Sequence, residues 1–275
     1  QQDSLDERVL AQQLAYWKNH LEDAPAVLSL PLDCPRPAVQ TFNGAHQLFT
    51  LDNDVAEKCR VLCQSADATL FMGLLAIWQV LLGRYSGMDD IVVGIPIAGR
   101  TRHETEPLMG FFVNAVVMRT RLTGNLTFND LLVRVREVAL GAYAHQDIPG
   151  ERVVEAIAPD RNLSIPPVAQ VGFSLQNVPM QASHWPGCEI SAVDLGQTTA
   201  KYDMTLVMTA DDSAVQGILE YNTDLFKAES MRRMTRHFCQ LAEAVVSQPD
   251  LGLDALSFLR NEDLFSVLAV DPGRS

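Results

Sequence analysis

An apolar segment, Leu70–Leu82, constrains the fold more than any other feature of the chain. Only Gly73 and Gln79 interrupt it, and it is apolar nearly all round, which predicts a central helix that is buried on every side. The helix should begin at Thr69 and reach about Tyr85, and the apolar segment is too short to cross a bilayer. A chain of 275 residues with 47% hydrophobic residues can build a core around such a helix.

Helical and extended patterns alternate at first, and extended segments then cluster towards the end of the chain. Helical periodicity is found at Leu10–Leu21, Val55–Leu62, Leu131–Val138, Glu151–Ala158 and Met231–Val245. Strands are predicted at His46–Leu51, Ile91–Ile97, Ala115–Leu122, Val168–Leu175, Ile190–Leu195, Tyr202–Ala210 and Val215–Tyr221. This order is typical of a mixed-sheet α/β sandwich.

Charge and hydropathy exclude two kinds of partner. The formal net charge is −13, so the chain has no excess of Lys and Arg to neutralise phosphates, and nucleic-acid binding is not expected. No apolar segment has the length of a membrane span, and none has the position of a signal peptide. The sequence therefore predicts a cytoplasmic protein with no membrane partner.

The five cysteines do not have the spacing of a metal site. Cys59 and Cys63 are one helical turn apart on a predicted helix, which favours packing in the core over zinc binding. An odd number of cysteines in a cytoplasmic chain indicates reduced thiols.

Motifs of self-contained catalysis are missing from the sequence. It has no phosphate-binding glycine loop, no Gly-x-Ser-x-Gly and no His-Glu-x-x-His, and its six histidines occur singly. His145 stands out because Asp147 follows two residues later and Pro149 fixes the turn. The pair could be an oriented base, but the favoured interpretation is that both residues cap helix ends.

Other polar positions each have two interpretations. Gly110–Asn114 could place an amide in a cleft or form a bulged entry to a strand. Gln176 and Asn177 follow a predicted strand, where they could face a ligand channel or terminate the strand. Asp203 is expected to pair with a cation, and Arg100 to anchor an anion or close a turn.

Taken in order, eight segments resemble the condensation domains of nonribosomal peptide synthetases. Met109–Asn114 is similar to the family's Gly-x-Phe-Val-Asn-Thr motif, with Ala115 in the place of Thr, and His145–Glu151 is similar to its His-Gln-Asp-Tyr-Pro-Phe-Glu. The other matching segments are Gln13–Pro37, Thr69–Ala76, Asp90–Arg100, Arg161–Pro167, Phe173–Asn177, and the closing strands Lys201–Leu206 and Leu219–Phe226.

The resemblance implies the C-terminal half of a chloramphenicol-acetyltransferase-like fold. The family's catalytic signature, His-His-x-x-x-Asp-Gly, does not occur in this chain, and in the family it lies in the N-terminal lobe. We therefore expect residues 1–255 to be a C-terminal lobe without catalytic residues, inactive alone. Within it, 1–44 would be a helix and inter-lobe linker, 98–114 the floor loop and 198–216 the latch region. Residues 256–275 would begin a linker towards a following adenylation domain.

Site residues follow from the same resemblance. The expected lining of the substrate tunnel is Asn177, Gln176, Ser174, Asn114 and Gly110. The expected structural motif residues are Arg100, His145, Asp147, Ser164 and Asp203.

The resemblance also implies partners. Such domains join carrier-protein-bound aminoacyl or peptidyl thioesters through a peptide bond, so this chain is expected to bind no cofactor itself. It would meet the phosphopantetheine arms of upstream and downstream carrier proteins, the N-terminal lobe and an adenylation domain. Alone, it is expected to self-associate through the apolar surface left uncovered. The alternatives are an epimerisation or heterocyclisation domain of the same fold, or a non-catalytic module that docks carrier proteins.

Overall fold

One mixed sheet of six strands organises the chain, with the strand order β1-β6-β5-β4-β2-β3. The computed structural model describes residues 7–100, 104, 108–157, 163–176, 198–210, 214–257 and 259. The strands are β1 Gly44–Leu51, β2 Asp90–Ile97, β3 Asn114–Arg121, β4 Val171–Gln176, β5 Met204–Ala210 and β6 Val215–Asn222. The helices are α1 Glu7–His20, α2 Asn53–Ser65, α3 Leu70–Ser86, α4 Phe128–Ala144, α5 Gly150–Ile157 and α6 Ala228–Ser247, and a 3-10 turn follows at Leu253–Ala255.

The central apolar helix is confirmed. Every residue of α3 from Met72 to Gly83 is buried, and the Thr69 hydroxyl caps the helix by accepting the Met72 N–H. Gly87 ends the helix in the left-handed conformation with φ 68°, which glycine adopts without a steric penalty.

Two strand boundaries differ from their predictions for steric reasons. β4 begins at Val171 instead of Val168, because Val168 has a φ of 70°, which no extended strand accommodates. β1 begins at Gly44, two residues early, in a close approach to the chain before β5. A Cβ at Gly44 would lie 2.4 Å from the carbonyl carbon of Thr199. The predicted strand Ile190–Leu195 lies outside the described residues.

Among the described residues, helices cover the whole of one face of the sheet and only the β3 side of the other. Phe71 of α3 contacts Phe173 of β4 with 5.4 Å between the ring centroids, and Phe49 of β1 contacts Phe238 of α6 at 5.7 Å. Strand residues on this helical face are buried along most of β4, β5 and β6 and half-buried along most of β1, whereas their neighbours on the other face are mostly half-buried or exposed. On the second face, α1 and α5 pack only at the β3 side. The predicted α/β sandwich is confirmed, with one layer of sheet and one main layer of helices.

An extended segment, residues 22–43, crosses one end of the sheet from β3 to β1, and we call it the belt. Three side chains at this end of the sheet hold it in place. Arg119 donates to the carbonyls of His20 (3.0 Å) and Glu22 (2.6 Å). Gln170 accepts the Leu28 N–H (2.8 Å) and donates to the Ala26 carbonyl (2.9 Å), and Asn222 donates to the Thr41 carbonyl (2.7 Å).

The belt's central contact is an ion pair. Arg36 donates both guanidinium nitrogens to the carboxylate of Asp203, with 2.9 Å from Nη1 to Oδ1, and Asp203 is only 3% exposed. Further along, the Asp33 carboxylate accepts the Lys227 N–H and the Ser230 hydroxyl, both at 2.8 Å, at the start of α6. The belt therefore ties the sheet's end to the helical layer.

Among the described residues, no single helix is long and apolar enough to cross a membrane. Only α2 and α3 taken together reach the required length and composition, and the pair is bent by 107°.

Replacing Asp203 by Asn should strongly destabilise the fold, because it leaves the Arg36 charge without its partner under the belt. We expect a loss of about 3 kcal/mol in the free energy of unfolding, measured by urea denaturation with tryptophan fluorescence. The double variant Arg36→Leu/Asp203→Leu should recover part of that loss.

The matched control is Lys58→Ala, which removes an exposed pair with Asp54 on α2 and should leave the unfolding midpoint nearly unchanged. A midpoint for Asp203→Asn that moves no further than that of the control contradicts a structural role for the pair.

Candidate functional site

The elements expected to serve the reaction gather at the end of the sheet opposite the belt. β2 and β4 pair in parallel, as do β4 and β5, and all three finish at this end. The chain leaves β2 here at residues 98–100 and enters β3 here from residues 108–113, and β5 ends and β6 begins at this same end. Ligands of open α/β sheets bind beyond the carboxyl ends of parallel strands. This end of the sheet is therefore the candidate site.

The two limbs of the predicted floor loop are locked to each other at their bases. Gly99 has a φ of 63°, and a Cβ there would lie 1.9 Å from the carbonyl oxygen of Phe112. The Arg100 guanidinium lies 4.4 Å from the centre of the Phe112 ring. Of the two roles expected for Arg100, anchoring an anion or closing a turn, this contact favours the second. The described parts of the loop are 98–100, 104 and 108–114.

The returning limb presents an apolar surface to solvent. Around Gly110, Met109 is 101% exposed and Phe111 is 88% exposed, and both Leu108 and Val113 are more than half exposed. We call these four side chains the apolar knob. Contiguous exposed apolar side chains of this size usually mark an interaction site.

The Asn114 amide is fully engaged within the chain. Its Nδ2 donates to the carbonyls of Gln146 (2.9 Å) and Ile148 (2.7 Å), and its Oδ1 accepts the Gly150 N–H at 2.9 Å. Asn114 therefore holds the turn between α4 and α5 against the start of β3. Its place in a tunnel lining stays a prediction. Both Nδ2 hydrogens are already donated, so a hydrogen bond to a substrate would use the second lone pair of Oδ1.

His145 has the structural role that was favoured. It is the C-cap residue of α4, its Nδ1 bonds the Gly141 carbonyl at 2.8 Å, and its ring stacks on Tyr16 with 3.9 Å between centroids. The prediction that Asp147 also caps a helix is wrong, because it lies three residues before the first residue of α5. Among the described residues, no ion pair joins Asp147 to His145.

Asp203 and Ser164 lie at the belt end, away from the candidate site. Asp203 pairs with a cation, as expected, and that cation is Arg36. The Ser164 carbonyl accepts a further hydrogen bond from Arg36 at 3.2 Å. The structure thus brings these two motif residues together as part of the belt.

Gln176 and Ser174 lie on the uncovered face of the sheet, because Phe173 between Gly172 and Ser174 points to the helices. Gln176 is exposed at the carboxyl end of β4, and Ser174 is half-buried one position further in. Asn177 lies outside the described residues, so its expected role stays a prediction.

Strand register reveals polar partners of Gln176 that were not predicted. Gln176 pairs with Thr209, Thr209 with Gln216, and Gln216 with Thr50. These four side chains form a polar row across β4, β5, β6 and β1. Polar residues alternating with buried ones were visible in each strand, but only the pairing of the strands places them in one row.

The predicted latch region, 198–216, is divided between the two ends of the sheet. Its first residues lie at the belt end, where the Gly44 N–H donates to the Thr198 carbonyl at 2.7 Å. From Met204 onward it runs as β5 to the candidate site and returns as β6 from Val215. Contact with another lobe stays a prediction for this region.

Packing of the helical cysteines is confirmed. Cys59 and Cys63 are almost completely buried between α2 and α3, and burial raises the pKa of the Cys59 thiol to about 12 and that of Cys63 to about 11. Within the described ranges, no three His, Cys, Asp or Glu side chains are grouped so that they could hold a metal ion.

A cavity of about 530 Å³ lies elsewhere, between the end of β1, α2 and α6. Its mouth carries the Lys58–Asp54 ion pair, together with Asp52 and Glu243. It opens in the helical layer at the β1 edge, so it shares no lining with the uncovered face of β4 or with the floor loop.

Two features define the class of protein. The mixed sheet is covered by helices on one face, and a long loop and polar strand ends lie together at the carboxyl ends of β2, β4 and β5. The family model of the condensation domain matches residues 1–264, and the chain belongs to that family. One of the linear gramicidin synthase proteins from Brevibacillus parabrevis is 47% identical over 266 residues, which are 96% of this chain and 5% of that protein.

Solved structures agree in fold. A four-domain nonribosomal peptide synthetase bound to AMP and glycine matches with a TM-score of 0.85 and 30% identity, over 95% of this chain and 21% of that one. The X-domain from teicoplanin biosynthesis matches with a TM-score of 0.82 and 27% identity, over 94% of this chain and 58% of the other. The chain thus spans a small part of the synthetases and just over half of the isolated domain.

The buried thiols should resist alkylation in the folded chain. At pH 8 the thiolate fraction of Cys63 is on the order of 10⁻³ and that of Cys59 on the order of 10⁻⁴, whereas half-exposed Cys34 is accessible. With iodoacetamide and peptide mass spectrometry, Cys34 should react much faster than either buried thiol, and Cys59 should react most slowly.

Because the thiolate is the reactive form, labelling of both buried thiols should increase as the pH rises towards 11. A chelator should leave their protection unchanged, and urea should abolish it. Protection that a chelator removes would instead indicate a metal site.

Proposed function

We propose that this chain forms one wall of the tunnel in which a condensation domain joins an acyl thioester to an amine. The amine nitrogen bonds to the thioester carbonyl carbon, the C–S bond breaks, and the carrier's thiol leaves as the amine loses a proton. The observation that carries this proposal is the uncovered sheet face, which ends in a row of polar side chains beside the floor loop. Family membership supports the reaction class.

The contribution of such a wall is positional. Holding the amine near the thioester carbonyl converts an encounter between two molecules into a reaction within one complex, which accelerates it greatly. Gln176 and Ser174 supply an amide and a hydroxyl that could orient a carbonyl or amine at the carboxyl end of β4. In our proposal the proton-transfer group belongs to a second lobe with the family's double-histidine signature, so this chain alone is inactive.

The apolar knob supports a bridging role for the floor loop. Met109 and Phe111 extend into solvent from a loop whose base is locked by Gly99 and Arg100, so the limb is held outwards and cannot collapse onto its own sheet. An adjacent lobe would cover these side chains. Substrates would arrive on phosphopantetheine arms of carrier proteins, and an adenylation domain would follow, as in the synthetases that the chain resembles.

A second candidate function is a docking module without chemistry. It is favoured by the match to the X-domain from teicoplanin biosynthesis, which has been solved in complex with OxyB, with a TM-score of 0.84 and 27% identity. An epimerisation or heterocyclisation domain is a third candidate, since it would share the fold. These candidates differ in product: no new bond, an inverted stereocentre, or a heterocycle.

Amide formation tests the proposal. The chain would be fused behind the upstream half of the matching condensation domain of the linear gramicidin synthase, to which it is 47% identical, and supplied with loaded donor and acceptor carrier proteins. We expect amide product from the fusion, detected by mass spectrometry, and none from the 275-residue chain alone. Gln176→Ala should lower kcat about tenfold or more, with Gln47→Ala, a half-buried amide on the helical face of β1, as the matched control.

Product from the chain alone would overturn the division between two lobes. A folded fusion that binds both carrier proteins and forms no amide would favour the docking module, and an epimerised or cyclised product would favour the third candidate.

The isolated chain should associate with itself through the apolar knob. We expect the weight-average sedimentation coefficient to rise with concentration, because burying Met109 and Phe111 removes apolar area from water. The double variant Met109→Ser/Phe111→Ser should reduce this rise.

The control is Val133→Ser, at an exposed apolar position on the outer side of α4. A strictly monomeric chain at high concentration contradicts the expectation, and so does equal association of the two variants.

A further inference from the structure

The uncovered face of the sheet carries an apolar stripe next to the polar row of Gln176. Leu48 pairs with Ile218, Ile218 with Val207, and Val207 with Ser174. All four side chains point away from the helices. Phe173, Leu206 and Leu219, which precede or follow them along β4, β5 and β6, are buried in the helical layer, and Phe49 beside Leu48 contacts Phe238 of α6. Ser174 is the one polar member, and it lies at the end nearest the floor loop.

The stripe continues over the remaining two strands. Gly94 pairs with Gly172, so Pro96 lies beside Ser174, and Pro96 pairs with Ala115 of β3. Both Pro96 and Ala115 are exposed. One apolar position in every strand except β4 is thus aligned across the whole uncovered face.

Polar rows bound the stripe on both sides over β1, β6 and β5. Towards the carboxyl end lie Thr50, Gln216, Thr209 and Gln176, and towards the belt lie His46, Glu220 and Thr205. His46 and Glu220 approach each other to 3.7 Å across the strands. The apolar band is therefore only one side chain wide.

That width indicates what the stripe fits. A protein partner typically covers about 20–30 residues on each side of an interface, far more than one row provides. A single extended chain fits better: from Ser174 to Leu48 there are three strand spacings of about 4.8 Å, which is about 14 Å, the span of roughly four extended residues. This part of the stripe leads away from Ser174, which lies beside the strand end where the proposed reaction takes place.

We infer that this stripe is the specificity surface of the tunnel, and that it selects an apolar acyl, aminoacyl or peptidyl chain on the thioester. The inference rests on the proposed function. Val207 and Ile218 contact the chain's apolar groups, while the polar rows on either side confine it to one path. A hydrophobic surface of this kind discriminates between apolar and polar chains, because the polar group loses its water without gaining a hydrogen bond.

Selectivity in the fusion protein tests the inference. Donor and acceptor carrier proteins would be loaded in turn with leucine or with serine, and kcat/KM measured for each. Val207→Asn and Ile218→Asn should each lower the leucine-to-serine ratio of kcat/KM about tenfold, because each places an amide in the apolar path. The fall is expected for the carrier protein, donor or acceptor, whose chain lies on the stripe. The control is Val133→Asn on the outer side of α4, which should keep the original ratio.

Leu48→Ser guards against misfolding, because Leu48 is 65% exposed and its loss removes little packing from the core. With a long apolar peptidyl donor that ends in leucine or in serine, the leucine-to-serine ratio of kcat/KM should fall by about two- to fivefold. The melting temperature should stay unchanged. Amide formation with an unchanged ratio in all three stripe variants would overturn the inference while leaving the proposed function intact. Absence of amide from the unsubstituted fusion would overturn the proposed function itself.

Discussion

The ion pair between Arg36 and Asp203 is the contact on which the rest of the structure depends. It fixes the belt at the start of β5, midway between the edge strands β3 and β1. Backbone hydrogen bonds, such as those from Asp33 and Cys34 to the Leu225 carbonyl, also hold the belt, and the Gln170 and Asn222 side chains add to this anchoring beside β4 and from β6. The pair is nearly buried and bidentate, so its geometry is specific. Its net contribution to stability is modest, but removal of one partner alone leaves a charge without its partner.

Anchoring one end of the sheet leaves the other end for function. The belt occupies the amino ends of β2, β4 and β5, so the loops at their carboxyl ends are not needed to close the fold. Those loops can leave apolar groups such as Met109 and Phe111 exposed, because the core is formed without them. In the proposed function, the sheet therefore has a structural end under the belt and a functional end opposite it.

Local patterns predicted most of the elements, because periodicity and caps are properties of neighbouring residues. The helix α3, its Thr69 cap and the strand β2 follow directly from such patterns. Local patterns did not predict the left-handed Val168, which delays β4, nor the role of Asn114, whose amide bonds residues more than 30 positions away. Both depend on contacts that exist only after the chain has folded.

The candidate site shows the same limit more clearly. Val207 and Ile218 are ordinary members of alternating strands, and nothing in either strand alone distinguishes them from other half-buried aliphatic residues. The pairing of β5 with β6, and of β6 with β1, puts Val207, Ile218 and Leu48 in one line that leads away from Ser174. A shift of one residue in either register would send these side chains into the helical layer. Substrate selection by this face would thus be set by the register of the sheet, which the antiparallel pairing of β5 with β6 and of β6 with β1 defines.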